Sequence, residues 1–224
     1  MAGKRDFIGE LKAYVKRSAL ATGDGITKPD AVRWKAIITA LASVTSGDSS
    51  DEKLREELRR HVVVSLVAMI QASVRRTIAE IIDGKEERGE ELPELPDIRI
   101  TLAMVRELKK REFSIGEVVA HFSSLGGFEQ ISSALQRVSG EDVNTMLLNS
   151  LRGRATPIEG FENPEKALAH IRAQLVKLFY YRNIYCHEEG VGISVRDDEL
   201  DRFFIATINV VGALGLLRGK AVKR

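Results

Sequence analysis

The sequence predicts an all-α protein: an up-and-down helical bundle with extra helices at its N-terminus and in its middle. Three observations carry that prediction. Apolar residues recur at helical spacing over stretches much longer than a strand. Those stretches open on capping residues and close on glycine or proline. No segment alternates apolar and polar residues for more than a few positions.

The opening segment, to about Ala21, is amphipathic and ends at "TGDG". Thr27 then offers an N-cap with Pro29 and Asp30 in the first turn, and the helix runs to Ser46. Ser49 and Glu52 have the spacing of a capping box and open a long helix over 50–83 that stops at Gly84. Its first half is charged and its second half apolar, so one end is expected to project while the other is packed. "GKEERGEELPELPD" reads as an exposed linker. In the middle stretch, Ser114 and Glu117 form another capping box, and "GEDVNTMLLNSL" reads as a short helix. Asn163, followed by Pro164, caps a helix running to about Glu188, and Ser194 with Asp197 box a last helix that continues to about Leu217. Residues 1–48 are therefore read as an N-terminal helical extension. Residues 49–218 form the bundle, with a linker and helices inserted at about 84–160.

Bulk properties narrow the function classes. A formal net charge of +2 gives no global basic field, and 6% aromatic residues disfavour base-stacking platforms of the single-strand binders. The single cysteine, Cys186, excludes a disulfide framework or an all-cysteine metal site within one chain and suits a reducing cytosol. The first residues lack the apolar core of a secretory signal. The longest uncharged run, 203–217, is fifteen residues against the roughly 20 that span a bilayer. A cytoplasmic protein with no membrane partner, no metal and no cofactor is expected.

One stretch breaks the pattern. On a helical wheel Leu168, Ile171, Leu175, Leu178 and Phe179 share a narrow arc, and Arg182 falls in its middle. Asn183 lies at the margin and His187 just beyond it. A buried guanidinium must meet an acceptor, because arginine does not escape by deprotonation. A carboxylate or backbone carbonyls from a neighbouring helix would serve, and so would a phosphate in a cleft, which suits the planar fork. His187 lies near the helix end, and imidazole, whose unperturbed pKa is about 6.5, is a side chain suited to proton transfer at neutral pH. Gln71 and Arg75, one turn apart on the long helix, either line a cleft or pack at the core edge. Tyr180, Tyr181 and Tyr185 crowd the motif, for core or dimer packing or for stacking on bases. The clusters "KKR" at 109–111 and "RGR" at 152–154 are either solvated faces or grips for an RNA backbone.

"RNIYCH", late in a helix after "LVKLFYYRN" and before a glycine-bearing turn and one more apolar helix, resembles the Arg-Asn-x-x-x-His signature of the HEPN superfamily. The resemblance covers about 50–83 and 160–218. It implies a metal-independent endoribonuclease of a toxin or antiviral defence system, active as a homodimer whose motif faces form one cleft. Arg182 would neutralise the scissile phosphate, His187 would act as general base or acid, and Asn183 would orient the histidine or bind a phosphate oxygen. Gln71, Arg75 and Tyr185 would contact RNA, and an antitoxin or defence-system protein would be a further partner. Two departures stand out: Glu189 occupies the place where some family toxins carry a modifiable tyrosine, and Glu188 with Glu189 adds negative charge beside the motif. The alternatives are a catalytically silent HEPN module binding nucleic acid, nucleotide or protein, and a structural dimer in which Arg182 pairs with a buried carboxylate.

Overall fold

The computed structural model describes residues 28–45, 51–93, 101–110, 112–153, 161, 163–187 and 193–223; of these, the side chains of 28–30, 187 and 220–223 lie outside the description. Among the described residues there are eight helices and no strands. They are α1 (Lys28–Thr45), α2 (Glu52–Glu87), α3 (Leu102–Lys109), α4 (Ile115–Phe122), α5 (Phe128–Ser139), α6 (Val143–Arg152), α7 (Pro164–His187) and α8 (Asp197–Lys223). The all-α expectation holds. The amphipathic opening segment, the Thr27 cap, Ser49 and the 94–97 part of the linker fall outside the described residues.

Helix α2 is the axis of the molecule, packing against α1, α4, α5, α7 and α8. From Val62 to Ile82 it buries residues on several faces, among them Val62, Leu66, Ile70, Val74, Ile78 and Ile82. A helix apolar nearly all round belongs inside a bundle. Each such side chain contributes roughly 1.5–3 kcal/mol on leaving water. One continuous core takes in Ile37 and Val44 of α1, Leu135 of α5, Leu147 of α6, Leu175 of α7 and Phe203 of α8. The described part of the N-terminal extension and most of the middle region thus share the bundle's core. Only α3 and the start of α4 form a small separate cluster, around Met104, Phe113 and Val118. Helix α2 and residues 197–219 are each long and apolar enough to cross a bilayer by length and composition, with 61% and 50% of those apolar windows buried inside the fold.

Local signals explain the boundaries. Asp51, and not the expected Ser49, caps α2, accepting from the N–H groups of Lys53 and Leu54. The far end differs from expectation: the helix passes through Gly84 to Glu87, and the residue that takes a left-handed conformation is Gly89, at φ 66°. The capping box of Ser114 and Glu117 is present, as is the Asn163 cap, which accepts from the Glu165 N–H at 2.7 Å. Helix α5 is an addition to the elements expected from the sequence; it ends at Gly140, φ 79°, a C-cap signal that "VSGED" carries in plain view. Helix α8 starts later than the Ser194 box implies. The Arg196 N–H donates to Glu199 Oε2 at 3.2 Å, so that carboxylate closes the first turn. Ser194 is drawn elsewhere: its hydroxyl donates to Glu56 at 2.5 Å.

The charged first half of α2 does not project. Arg59 is only 8% exposed, with Nε donating to Asp197 at 2.9 Å and Nη1 to Glu52 at 2.7 Å. Arg55 reaches the same Asp197 at 3.0 Å. At the other end Arg218 of α8 pairs with Glu80 of α2 at 3.6 Å. Arg59–Asp197 and Glu80–Arg218 have the same sequence separation, 138 residues, so α2 and α8 run parallel and in register. Along α7, Tyr181 meets Phe203 of α8, while Tyr185, one turn on, meets Arg60, which is level with Asp198, so α7 runs antiparallel to α8.

The start of α4 is moored to α2. Asp83 accepts from the Ser114 hydroxyl at 2.6 Å and from the Gly116 N–H at 2.8 Å, satisfying orphan donors at the start of α4. The approach is so close that a Cβ on Gly116 would lie 2.3 Å from the Ala79 carbonyl oxygen. The obstacle is backbone on an axial helix, which cannot swing aside. Gly116→Ala is therefore expected to destabilise the protein by about 1–3 kcal/mol, despite alanine's better helix propensity. Urea denaturation with the midpoint lowered at unchanged slope would confirm this; an unchanged or raised midpoint would refute it.

Candidate active site

Helix α7 forms from residues 164–187 because Pro164 at its first position and the Asn163 cap start it cleanly, and no glycine or proline interrupts it thereafter. Its buried residues are Ala167, Ile171, Leu175, Leu178, Phe179 and Ile184. Near the C-terminal end the buried arc turns away from the direction the wheel predicts. Ile184 is enclosed, Tyr181 and Tyr185 are half-buried, and Cys186 is exposed. Arg182 consequently sits at the edge of the core, half-buried, where the wheel puts it at the centre.

The acceptor that Arg182 meets is its own neighbour. Nη1 donates to Asn183 Oδ1 at 3.0 Å. Among the described residues no carboxylate pairs with this guanidinium. Asn183 is exposed. His187 is the last residue of α7; its side chain, like residues 188–192, lies outside the description. The motif therefore occupies one open helix end, with the guanidinium and the amide joined.

A scaffold stands behind that end. Arg60 of α2 lies over the Tyr185 ring, 5.4 Å from its centroid, and the Tyr185 hydroxyl points to the Ile193 carbonyl at 3.5 Å. Burial, with Glu56 nearby, pushes the Tyr185 phenol up to about 12. Tyr181 packs between Tyr185 and Phe203, at centroid distances of 6.1 and 6.0 Å. Tyr185, expected as an RNA contact, thus spends its ring on the interior. Beyond it, the pairing of Arg55 and Arg59 with Asp197 pins the start of α8, and Lys177 of α7 is hydrogen-bonded to Glu199.

Other predicted residues lie elsewhere. The Gln71 side chain donates to the Leu125 carbonyl at 2.7 Å and so ties α2 to the segment before α5. Arg75 is half-buried and engaged within the molecule. Arg60 marks the motif's level on α2, and Gln71 and Arg75 are about 16 and 22 Å further along the helix at about 1.5 Å per residue. The structure does not bring them to the motif. Lys109, the last residue of α3, and Lys110, which follows it, are exposed, with Lys110 paired to Glu107 at 3.4 Å, and Arg152 pairs with Glu165 at 2.6 Å. Arg111 and Arg154 lie outside the described residues.

One feature of the site lies outside the sequence expectations. Ala169, Ala173, Val176, Tyr180 and Asn183 all face outward, at successive spacings of four, three, four and three, and the next step of four is His187. Val176 is 48% exposed and Tyr180 60%. This is the spacing of a seam that pairs helices. The signal is legible in "AHIRAQLVKLFYYRNIYCH", but the buried stripe beside it dominates the wheel.

The chain matches no protein-family model, no curated protein and no solved structure.

Two predictions test the scaffold. Asp197→Ala leaves Arg59 enclosed with part of its charge uncompensated and is expected to cost about 3–5 kcal/mol, whereas Arg59→Met with Asp197→Leu should cost far less. Equal losses in thermal denaturation of the two proteins would contradict that account. Burial opposes ionisation of Glu199, but donation from Lys177 and from the Arg196 N–H outweighs it and holds the carboxyl below its ordinary range. Its stabilisation is then complete above the ordinary carboxylate value of about 4.3 and fades as pH falls through the lower folded value. The stability gap between the protein and Glu199→Gln should accordingly close in acid; a gap that widens as pH drops would reverse the sign.

Proposed function

We propose that the protein is a HEPN-like, metal-independent endoribonuclease of a toxin or antiviral defence system, acting as a homodimer paired along the outward seam of α7. The observation that carries this reading is the open end of α7: a half-buried Arg182 without a carboxylate among the described residues, bonded to an exposed Asn183, one turn before His187. A charge kept at the core edge without a counter-charge favours an anionic ligand. The seam supplies the rest of the argument. Asn183 and His187 are themselves seam positions, so a partner helix laid along Ala173, Val176 and Tyr180 would bring two copies of the motif close to one axis.

The chemistry suits these groups. The RNA 2′-hydroxyl attacks the adjacent phosphorus as His187 takes its proton. The bond from phosphorus to the 5′-oxygen breaks, and that oxygen receives a proton from the conjugate acid, here the histidine of either subunit. The products are a 2′,3′-cyclic phosphate and a 5′-hydroxyl, so no electrons are exchanged and no co-reactant is consumed. Arg182 stabilises the charge that builds on the phosphorane oxygens. Asn183 holds the guanidinium in the free protein and can turn its amide to a phosphate oxygen when RNA binds.

The purified protein with end-labelled RNA in EDTA is expected to yield cyclic-phosphate ends. His187→Ala should lower the rate about 10²–10⁴-fold with the circular dichroism unchanged. Tyr180→Glu should convert a micromolar dimer to a monomer in sedimentation and silence cleavage too. Retarded RNA migration without cleavage, lost on Arg182→Ala, would leave a binding module in place of the enzyme. A protein that neither cuts nor binds RNA overturns both.

A further inference from the structure

A cleft of about 330 Å³ lies between α6 and α8, a size at the lower end of the range for small-molecule sites. Met146 and Ser150 of α6 line it, with Ala213, Gly215, Leu217 and Gly219 of α8 opposite and Glu141 from the turn before α6. Ala213 and Gly219 lie about 15 and 24 Å along α8 from Phe203, the level at which Tyr181 packs. The motif on α7 takes no part in this cleft.

Ser150 is buried in the cleft wall with its polar group unused. The residue is 8% exposed, yet its hydroxyl makes no hydrogen bond among the described residues. Ser123 and Ser139 show the ordinary use of a helical serine, donation to the carbonyl four residues back. Ser150 lines the cleft without that bond. A buried hydroxyl without a partner is unfavourable, and a ligand atom in the cleft would satisfy it.

Glu141 supplies the second polar group. It is half-buried, and its carboxylate has neither an ion pair nor a hydrogen bond among the described residues. Arg218, which stands beside Gly215, pairs with Glu80 of α2 instead. Val143, where α6 starts, and Ser150 are about 10 Å apart along the helix. Glu141 precedes that start, so the carboxylate and the hydroxyl belong to opposite ends of the cleft, with Met146 between them.

Two glycines cut back the α8 wall, although glycine weakens a helix interior relative to alanine. A Cβ on Gly219 would meet nothing within 4 Å among the described residues, and one on Gly215 only Arg218 Nη2 at 3.8 Å. Packing within the chain therefore calls for neither glycine. Their missing side chains leave an open length bounded by the apolar groups of Met146, Ala213 and Leu217.

We propose that this cleft binds a linear amphipathic amine with a polar far end, an amino alcohol in the simplest case. The ammonium donates to the Glu141 carboxylate, the hydrocarbon chain lies along Met146 and the glycine-cut wall, and the far hydroxyl bonds Ser150. An unpaired carboxylate selects a cation, and the apolar stretch between the two polar groups selects a chain over a compact ion. The site stands whether or not the protein cleaves RNA.

Amide-resolved NMR titration of the full-length ¹⁵N-labelled protein tests it, with 8-amino-1-octanol as the probe. Neutral 1,8-octanediol, anionic 8-hydroxyoctanoate and octylamine, which lacks the hydroxyl, are the comparisons. The expected result is a saturable shift confined to the amides of the cleft, with the amino alcohol bound at least fivefold more tightly than each comparison. Glu141→Gln should erase the preference over the diol, and Ser150→Ala the preference over octylamine. Gly215→Leu and Gly219→Leu, which put a side chain into the cleft, should each weaken the probe at least tenfold while the spectrum stays dispersed. No saturable shift in the unsubstituted protein would overturn the proposal. Equal or tighter binding of 8-hydroxyoctanoate would give the cleft to an anion and overturn it, and so would unchanged affinity in both leucine variants.

Discussion

Arg59 and the carboxylates around it are the constraint on which the architecture depends. An enclosed guanidinium tolerates little displacement, because losing its partners would strand a charge at the edge of a low-dielectric core. Its bond to Asp197 therefore fixes where α8 begins relative to α2. Once that height is set, the apolar faces of the two helices meet in a single alignment along their whole length. Helix α7, tied to α8 by a short connection and by Lys177 to Glu199, inherits the same height. The open end of α7, with Arg182 and Asn183, stands beside this polar clamp for that reason.

The polar and apolar parts of α2 thus divide the labour. Its apolar stretch supplies burial, which drives collapse but is indifferent to small sliding. Its charged first half supplies direction and register. Asp83 repeats the device at the far end, where one carboxylate satisfies the start of α4 and sets its distance from the axis. Apolar contact alone would not place the tip of a short helix within reach of a carbonyl oxygen.

Much of this is legible in the sequence. The long helices follow from spacing, and Ser114 and Asn163 mark the starts of α4 and α7 through hydrogen bonds that are local in the chain. What escapes is decided by contacts distant in sequence. The charged half of α2 reads as a solvated projection until Asp197, 138 residues on from Arg59, is known to face it. Ser194 reads as a cap until Glu56 claims its hydroxyl. Within the motif, a wheel assumes that the buried arc runs straight, whereas the enclosure of Ile184 turns it and moves Arg182 outward. Gln71 offers no sign that a loop carbonyl would take its amide.

The bond between Arg182 and Asn183 joins adjacent residues instead of linking two helices. The guanidinium is thus attached to the terminal turns of α7 and to nothing heavier. Helix ends fray, and here fraying would carry the charge and its amide companion together, so the two remain a unit while their direction changes. A ligand that ordered those turns would gain both groups at the entropic expense of one short segment. The rest of the bundle would not have to move.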